Sequence, residues 1–155
     1  MVKYIERGDI FALPGVCSYA HGCNCAGAMG RGIAVQFRDM FPEMYIRYKA
    51  LCRSGEYRPG DVYDYDYGRG HIYNLGTQLT WRTRATTEYI RESLVRMCGL
   101  ARTDGVTRIA MPAIGAGLGG LQWSEVKAVI DEVGAGFPDI DLYVVESYAP
   151  APEAV

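Results

Sequence analysis

The segment from residue 108 to residue 123 holds the residues whose types and spacing most clearly indicate chemistry. It begins with the apolar run 109–111, typical of a buried strand, and breaks at Pro112 into a loop with four glycines in six positions. A backbone without side chains can approach a ligand closely and turn its N–H groups toward it. A helical pattern follows from Gln122. The order of strand, glycine loop and helix predicts a phosphate-binding loop, whereas a plain tight turn would need only two of the glycines.

A second loop of the same design lies near the N-terminus. Residues 16–23 alternate as a strand does, glycines follow at 27, 30 and 32, and residues 33–37 open a helical pattern. Two such loops could hold the two sides of one diphosphate. Their spacing fits neither the Gly-x-Gly-x-x-Gly dinucleotide motif nor the phosphate loop that ends in Gly-Lys-Ser/Thr. An ordinary dinucleotide fold and a nucleoside triphosphatase are therefore disfavoured.

Polar side chains at strand ends are the candidates for ligand recognition. Asp9 could accept a hydrogen bond from an amino group or simply cap a turn, and the amide of Asn24 can both donate to and accept from hydroxyl groups. His21, Cys23 and Cys25 alternate and would share one face of a strand, which raises the alternative of zinc. One strand rarely supplies tetrahedral geometry, so buried thiols and a core histidine are favoured. We predict no metal and no cofactor.

The composition indicates one compact domain over residues 1–149, with a flexible C-terminal tail over 150–155. The net charge of −2 gives no global attraction to nucleic acid. A local basic patch could form from arginines at 82, 84, 91 and 96, which could equally be a solvated helix face. No secretory signal or apolar run of ~18 residues is visible, and the five cysteines are an odd number. We therefore expect a cytoplasmic monomer with free thiols that does not enter a membrane.

The elements that must position these loops alternate along the chain. Strands are predicted near 2–6, 16–23, 61–66, 71–75, 107–111 and 140–146, and helices near 31–40, 43–54, 84–103 and 122–136. A hairpin at residues 67–70 joins two antiparallel strands. This pattern predicts an α/β fold, a three-layer α/β/α sandwich with a mixed, mostly parallel six-stranded sheet.

From residue 4 to about residue 148 the chain resembles the macrodomains, which bind ADP-ribose. The resemblance rests on Gly-Asp-Ile at 8–10, HGCN at 21–24, GAMGRGIAVQF at 27–37 and MPAIGAGLGGLQW at 111–123. Within that superfamily it is most similar to the branch of the terminal ADP-ribose protein glycohydrolase and of the antitoxin that removes ADP-ribose from thymidine in DNA. The phrases MGRGIAVQF and GLGGLQW and the pair Trp81-Arg82 carry this closer match.

The resemblance implies roles for individual residues. Asp9 would bind the adenine amino group, Asn24 would contact the distal ribose, and Tyr148, just past the last strand, would stack on adenine or serve only in packing. Only the final asparagine of the family's usual Asn-Ala-Ala-Asn is present. The predicted ligand-binding residues are Asp9, Ile10, Gly30, Arg31, Gly32, Ile33, Ile114, Gly115, Ala116, Gly117, Leu118, Gly119 and Tyr148.

The chain departs from the branch at the catalytic step. Glycohydrolases of the branch use a lysine after the fourth strand, where this chain has Gln78, which cannot act as a nucleophile. One subfamily has an aspartate where this chain has Gly119, although the DNA-directed subfamily has glycine there too. We favour a hydrolase that uses water, with Asn24 and Gln78 as its catalytic residues and ADP-ribosylated protein, O-acyl-ADP-ribose or ADP-ribosylated DNA as substrate. The alternatives are a non-catalytic ADP-ribose reader and an ADP-ribose 1″-phosphate phosphatase.

Overall fold

The computed structural model describes residues 1–117 and 119–152, so the predicted ligand residue Leu118 lies outside the described residues. The strands are β1 (Val2–Gly8), β2 (Tyr19–Asn24), β3 (Val62–Asp66), β4 (His71–Gln78), β5 (Arg108–Pro112) and β6 (Asp141–Tyr148). The helices are α1 (Ala34–Met40), α2 (Pro42–Ser54), α3 (Thr87–Asp104) and α4 (Trp123–Ala135), and a short 3-10 helix spans Ile10–Ala12. No described helix is both long enough and apolar enough to cross a membrane.

The six strands form one sheet in the order β1-β6-β5-β2-β4-β3. All neighbouring pairs are parallel except β3 and β4, which form the predicted antiparallel hairpin. Apolar side chains pack on both faces of the sheet. One core lies between the sheet and α3 and α4, and the other between the sheet and α1, α2 and the 3-10 helix. The predicted three-layer sandwich is confirmed.

This topology creates a crevice between β2 and β5. The two strands pair directly, but the chain leaves β2 toward α1 on one face of the sheet and leaves β5 toward α4 on the other. In open α/β sheets ligands bind at the carboxyl ends of strands where successive connections diverge in this way. The residues that end the three central strands, Asn24, Gln78 and Pro112, lie at that edge.

Several predicted boundaries differ from the structure. β2 begins at Tyr19 rather than at residue 16, because the Val16 amide is engaged in a turn with the carbonyl of Leu13. α3 begins after residue 86 rather than at 84, since the Thr86 hydroxyl caps the amide of Tyr89. β6 extends further than predicted and ends at Tyr148, so this residue closes the strand instead of following it.

The largest difference is in β4, which continues to Gln78 instead of ending at residue 75. Gly76 is part of the strand. A Cβ atom there would lie 2.7 Å from the carbonyl oxygen of Arg58, so the glycine allows a neighbouring loop to approach the strand. The extension brings Gln78 to the carboxyl edge of the sheet beside Asn24, its Cα partner across the strands.

Candidate active site

A cavity of about 510 Å³ opens at the carboxyl edge of the sheet, a volume within the usual range for small-molecule sites. It lies between residues 27–33, here called the first glycine loop, and residues 114–120, the second glycine loop. Most of the predicted site residues meet there. The described lining includes Asn24, Gly30, Arg31, Gly32, Ile33, Gln78, Ile114, Gly115, Gly117 and Gly119 from the predicted set, together with Gly22, Cys23, Ala28, Met29, Ala34, Thr77, Trp81, Pro112 and Ala113.

The backbone of the second glycine loop is held by the surrounding protein. The amide of Leu121 donates to the carbonyl of Gly115 at 3.0 Å. The amide of Ala85 donates to the carbonyl of Gly119, also at 3.0 Å. A loop whose carbonyls are engaged in this way can present N–H groups to an anion in the cavity.

The glycines of this loop serve different purposes. Gly115 has a φ of +74°, and a Cβ atom there would collide with the side chain of Ile90. A Cβ atom on Gly119 would lie 2.5 Å from the carbonyl oxygen of Gly115, so this loop conformation excludes the aspartate that one subfamily has at that position. A Cβ atom on Gly117 would have nothing within 4 Å, and the residue borders the cavity. The absence of a side chain at Gly117 therefore keeps the cavity open, and is not needed to relieve a clash with neighbouring protein atoms.

Asn24 both lines the cavity and shapes the first glycine loop. Its Oδ1 accepts hydrogen bonds from the amides of Ala26 at 3.0 Å and Ala28 at 3.2 Å, and its Nδ2 donates to the carbonyl of Ala28 at 2.8 Å. One amide hydrogen is left for a ligand. The sequence pattern did not predict this structural role, because the partners depend on the path of the loop.

Gln78 is 8% exposed and lines the cavity from the end of β4. Its Nε2 donates to the carbonyl of Thr80 at 2.9 Å and to the carbonyl of Thr83 at 3.1 Å. Both amide hydrogens are thus used to hold the turn that follows the strand. The group that Gln78 can offer to the cavity is its Oε1, which accepts hydrogen bonds and cannot donate them.

Asp9 and Tyr148 come together at the end of the neighbouring strands, where Gly8 and Tyr148 are Cα partners. Asp9 caps the 3-10 helix by accepting from the amide of Phe11 at 2.9 Å, and its Oδ2 accepts from the amide of Ala151 at 2.8 Å. Ile10 is fully buried, so its side chain belongs to the core. These residues and Ala116 are not among those that line the cavity, so their ligand contacts stay predictions.

The turn after β4 carries an exposed tryptophan. Trp81 is 52% exposed and lines the cavity, and the guanidinium carbon of Arg82 lies 4.6 Å from the centre of its ring. The predicted basic patch is smaller than the sequence suggested. Arg91 is paired with Glu88 and Glu132, and the arginine at position 96 is paired with Asp61.

His21 and the nearby thiols are core groups. His21 is completely buried, stacks on Phe37 with ring centres 3.9 Å apart, and lies 2.7 Å from the Oδ1 of Asn74. Burial lowers the pKa of His21 to about 4, although the hydrogen bond with Asn74 opposes the shift. Burial also raises the pKa of Cys23 well above its usual value and that of Cys25 to about 12, so both thiols stay protonated. The predicted core histidine and buried thiols are confirmed.

A different group has the geometry to hold a metal ion. Within the described ranges, the Asp64, His71 and Asp104 ligand atoms lie within 4.8 Å of one another. The sequence pattern did not predict this group. His71 Nδ1 lies 2.6 Å from Asp64 and 3.4 Å from Asp104, and Tyr73 donates to Asp104 at 2.9 Å. The three groups therefore also satisfy one another as an ion-pair network, at the end of β4 opposite to Gln78.

Comparison with known proteins identifies the family of this chain. The family model described as "Macro domain" matches residues 20–130, and the chain belongs to that family. It is 33% identical over 150 residues to a DNA ADP-ribosyl glycohydrolase of Thermus aquaticus, covering 94% of this chain. It is 39% identical over 132 residues to the human ADP-ribose glycohydrolase OARD1, covering 85% of this chain and 83% of that protein.

The fold agrees equally well with a solved structure. The macrodomain of Mycobacterium tuberculosis DarG superposes with a TM-score of 0.87 at 31% identity, covering 94% of this chain and 97% of that one. The full-length relatives differ in how much of their own length this chain matches. The present chain spans 41% of the Thermus aquaticus protein, so that relative contains a long region outside the matched part.

Proposed function

We propose that this chain binds ADP-ribose and hydrolyses it from modified acceptors. The observation that carries the proposal is the single cavity that joins both glycine loops with the amide side chains of Asn24 and Gln78. Two loops built for anions fit a diphosphate. The two amides fit the sugar whose C1″ carries the acceptor.

We assign the three parts of the ligand to three regions of the site. The diphosphate lies between residues 27–33 and 114–120, and adenine extends toward Asp9 and Tyr148. The distal ribose lies against Asn24 and Gln78. Support comes from the open space in front of Gly30 and Gly117, where a Cβ atom would meet no protein atom within 4 Å.

The reaction that fits these groups is attack by water on C1″. The bond between C1″ and the acceptor breaks, and the acceptor leaves with the bonding electrons and takes up a proton. The attacking water loses a proton to a phosphate oxygen of the substrate itself. Gln78 accepts a hydrogen bond from the water or from a ribose hydroxyl through Oε1, because both of its amide hydrogens are used by the Thr80 and Thr83 carbonyls. A carboxamide forms no covalent intermediate, so water reacts directly.

The names of the relatives support this class of reaction. Two are called DNA ADP-ribosyl glycohydrolase and ADP-ribose glycohydrolase. We keep three candidate acceptor classes for this chain, each joined through C1″: esters of acidic residues on protein, O-acyl-ADP-ribose, and ADP-ribosylated thymidine in DNA. The test is to incubate the chain with each of these and with ADP-ribose 1″-phosphate, and to measure released ADP-ribose by liquid chromatography. Release from at least one acceptor is expected, and release from none would contradict hydrolysis.

One observation favours a second candidate, a reader that binds ADP-ribose without cleaving it. Both amides proposed for catalysis already hold loops in place, Asn24 through Ala26 and Ala28, and Gln78 through the turn after β4. A reader would bind ADP-ribose in calorimetry with one-to-one stoichiometry and release nothing from any substrate. Absence of binding at protein concentrations of about 100 times a micromolar dissociation constant would exclude both functions.

A further inference from the structure

Four polar or aromatic side chains of the β3–β4 hairpin share one face of the sheet. They form two cross-strand pairs, Asp64 with Tyr73 and Asp66 with His71. Alternate residues of a strand point to the same face, and directly opposed residues of an antiparallel pair do so too. Asp104, the last residue of α3, reaches the same place, where its Oδ2 accepts from the Tyr73 hydroxyl at 2.9 Å. Three separate elements therefore bring metal-binding groups together.

The ring of His71 has a carboxylate beside each of its nitrogens. Nδ1 lies 2.6 Å from Asp64 and 3.4 Å from Asp104, and Nε2 lies 4.0 Å from Asp66. The ring stacks on Tyr73 at an angle of 9°, with ring centres 5.8 Å apart. A histidine that binds a metal through one nitrogen usually donates from the other, often to a carboxylate, which fixes the orientation of the ring. Asp66 is in the place of that second partner.

The separation of the three potential ligand atoms is close to that of a zinc site. Zinc binds nitrogen and carboxylate oxygen at roughly 2.0–2.2 Å, so tetrahedral ligand atoms lie roughly 3.4 Å apart. Nδ1 of His71 and Oδ2 of Asp104 already have this separation, and all three atoms lie within 4.8 Å of one another. The contact between His71 and Asp64 would have to open by less than about 1 Å to admit the ion.

The charge of this group favours a cation. Among the described residues, the ion pairs of Asp64, Asp66 and Asp104 all involve His71, so three carboxylates share one histidine. The C-terminus of α3, which ends at Asp104, adds the negative end of a helix dipole. A divalent ion would neutralise more of this negative charge than a single proton on the histidine does.

A neighbouring pocket of about 470 Å³ gives an ion and its water a route to the group, since His71, Asp66 and Asp104 line it. Arg69 and Arg108 line the same pocket, but within the described ranges neither is paired with these carboxylates. The side chains of Asp64, His71 and Asp104 are between 16% and 20% exposed. The group is thus sheltered by protein and still reachable from solvent.

We propose that Asp64, His71 and Asp104 form a zinc site, with water as the fourth ligand and Asp66 as the hydrogen-bond partner of Nε2. One imidazole nitrogen with carboxylate oxygens suits zinc, whereas magnesium and calcium are usually bound by oxygen alone. Bound zinc ties the β3–β4 hairpin to the end of α3, at the end of β4 opposite to Gln78. The site therefore stabilises the fold, and it is independent of the proposed hydrolysis.

The test measures zinc binding and thermal stability without any ADP-ribose substrate. Protein without an affinity tag is dialysed against EDTA and then against metal-free buffer, and zinc chloride is titrated by calorimetry. We expect one zinc ion per chain. At free zinc 100-fold above the dissociation constant, the melting temperature should rise by roughly 5 to 10 °C. Magnesium chloride at the same concentration should have no effect. Absence of zinc binding, or equal stabilisation by magnesium, would overturn the proposal.

Conservative variants identify the ligands. Asp104→Asn keeps an acceptor for the Tyr73 hydroxyl, and His71→Gln keeps a donor for Asp64. Each variant is compared with its own metal-free form, so that a less stable protein still gives an answer. Both should lose the zinc-induced rise in melting temperature, and Asp66→Asn should weaken zinc binding on the order of 10-fold.

The matched control is Cys17→Ser, because Cys17 is an exposed thiol that lines the same pocket and could itself bind zinc. Cys17→Ser should bind zinc as wild type does. Loss of zinc binding in Cys17→Ser, or wild-type binding in both Asp104→Asn and His71→Gln, would overturn the proposed ligands.

Discussion

The hydroxyl of Tyr48 donates a hydrogen bond to the backbone carbonyl of Asn24 at 2.6 Å and lies 3.1 Å from the Oδ1 of the same residue. Tyr48 is fully buried on α2. The packing of that helix therefore fixes the point where β2 ends and the first glycine loop begins.

Tyr48→Phe should weaken ADP-ribose binding several-fold and lower the free energy of unfolding by about 1 kcal/mol, because one buried hydrogen bond is lost. Calorimetry and urea denaturation measure the two effects. Tyr45→Phe is the control, since Tyr45 stacks beside Tyr48 with ring centres 6.2 Å apart and is only partly buried. An unchanged affinity in Tyr48→Phe would show that the loop does not depend on this contact.

Gly117→Val should abolish ADP-ribose binding and leave the fold intact. The new side chain does not clash with the protein when no ligand is bound, but it enters the part of the cavity to which we assign the diphosphate. Gly99→Val is the matched control, because a Cβ atom there also meets nothing within 4 Å and Gly99 does not line this cavity. Binding is followed by calorimetry and folding by circular dichroism. Full affinity in Gly117→Val would argue against the assigned diphosphate position.

Gly119→Ala should lower the melting temperature, unlike the substitution at Gly117. A Cβ atom at Gly119 would lie 2.5 Å from the carbonyl oxygen and 2.8 Å from the Cα of Gly115, so the loop backbone must shift. The measurement is thermal unfolding by calorimetry. A melting temperature equal to that of wild type would mean that the loop adapts without cost.

Stability should fall as acid protonates the unfolded form of His21. Its pKa is about 4 in the folded protein against an ordinary value of 6.5, so between these values the unfolded chain binds a proton and the folded chain does not. The contribution of His21 to the free energy of unfolding is fully present above pH 6.5 and is lost as the pH falls toward 4. The loss amounts to about 3 kcal/mol for a shift of this size.

Asp64 opposes this effect, since burial, followed by contact with Asp104, raises its pKa to about 6. Its folded form takes up a proton before the unfolded form does, which stabilises the protein as pH falls through 6. The dependence of the wild-type free energy of unfolding on pH is thus the sum of both effects. The difference between the wild-type and His21→Gln curves isolates the contribution of the histidine. Urea denaturation between pH 4 and pH 7 measures it, and parallel curves for the two proteins would disprove the assignment.

Activity should survive treatment with EDTA. The group that could hold a metal includes His71, at the start of β4, whereas Gln78 ends that strand. Seven residue steps along an extended strand separate them by roughly 23 Å. An ion bound there could affect stability but would not reach C1″. Loss of turnover on chelation, with rescue by zinc or magnesium, would contradict this prediction.

Among the described residues, the sequence predicted the six strands, the four α-helices and the two glycine loops that border the cavity, because alternating apolar patterns and glycine loops are local signals. The sequence predicted less well the features that depend on packing between segments distant in the chain. Gly76 looks like the end of a strand, yet it continues β4 because the loop at Arg58 packs closely against it. The side-chain partners of Asn24 and Gln78 likewise depend on how loops fold back, which a linear pattern does not encode.

The central claim is hydrolysis by water without a lysine intermediate, and single-turnover trapping tests it most directly. Excess protein is mixed with ADP-ribosylated substrate in the presence of sodium borohydride, and free ADP-ribose and protein mass are followed together by mass spectrometry. We predict that ADP-ribose and the alditol that borohydride forms from its open-chain aldehyde appear, and that the protein mass stays unchanged, since Gln78 cannot form a Schiff base. A protein whose mass increases by reduced ADP-ribose would contradict the claim, because another lysine would then carry the reaction.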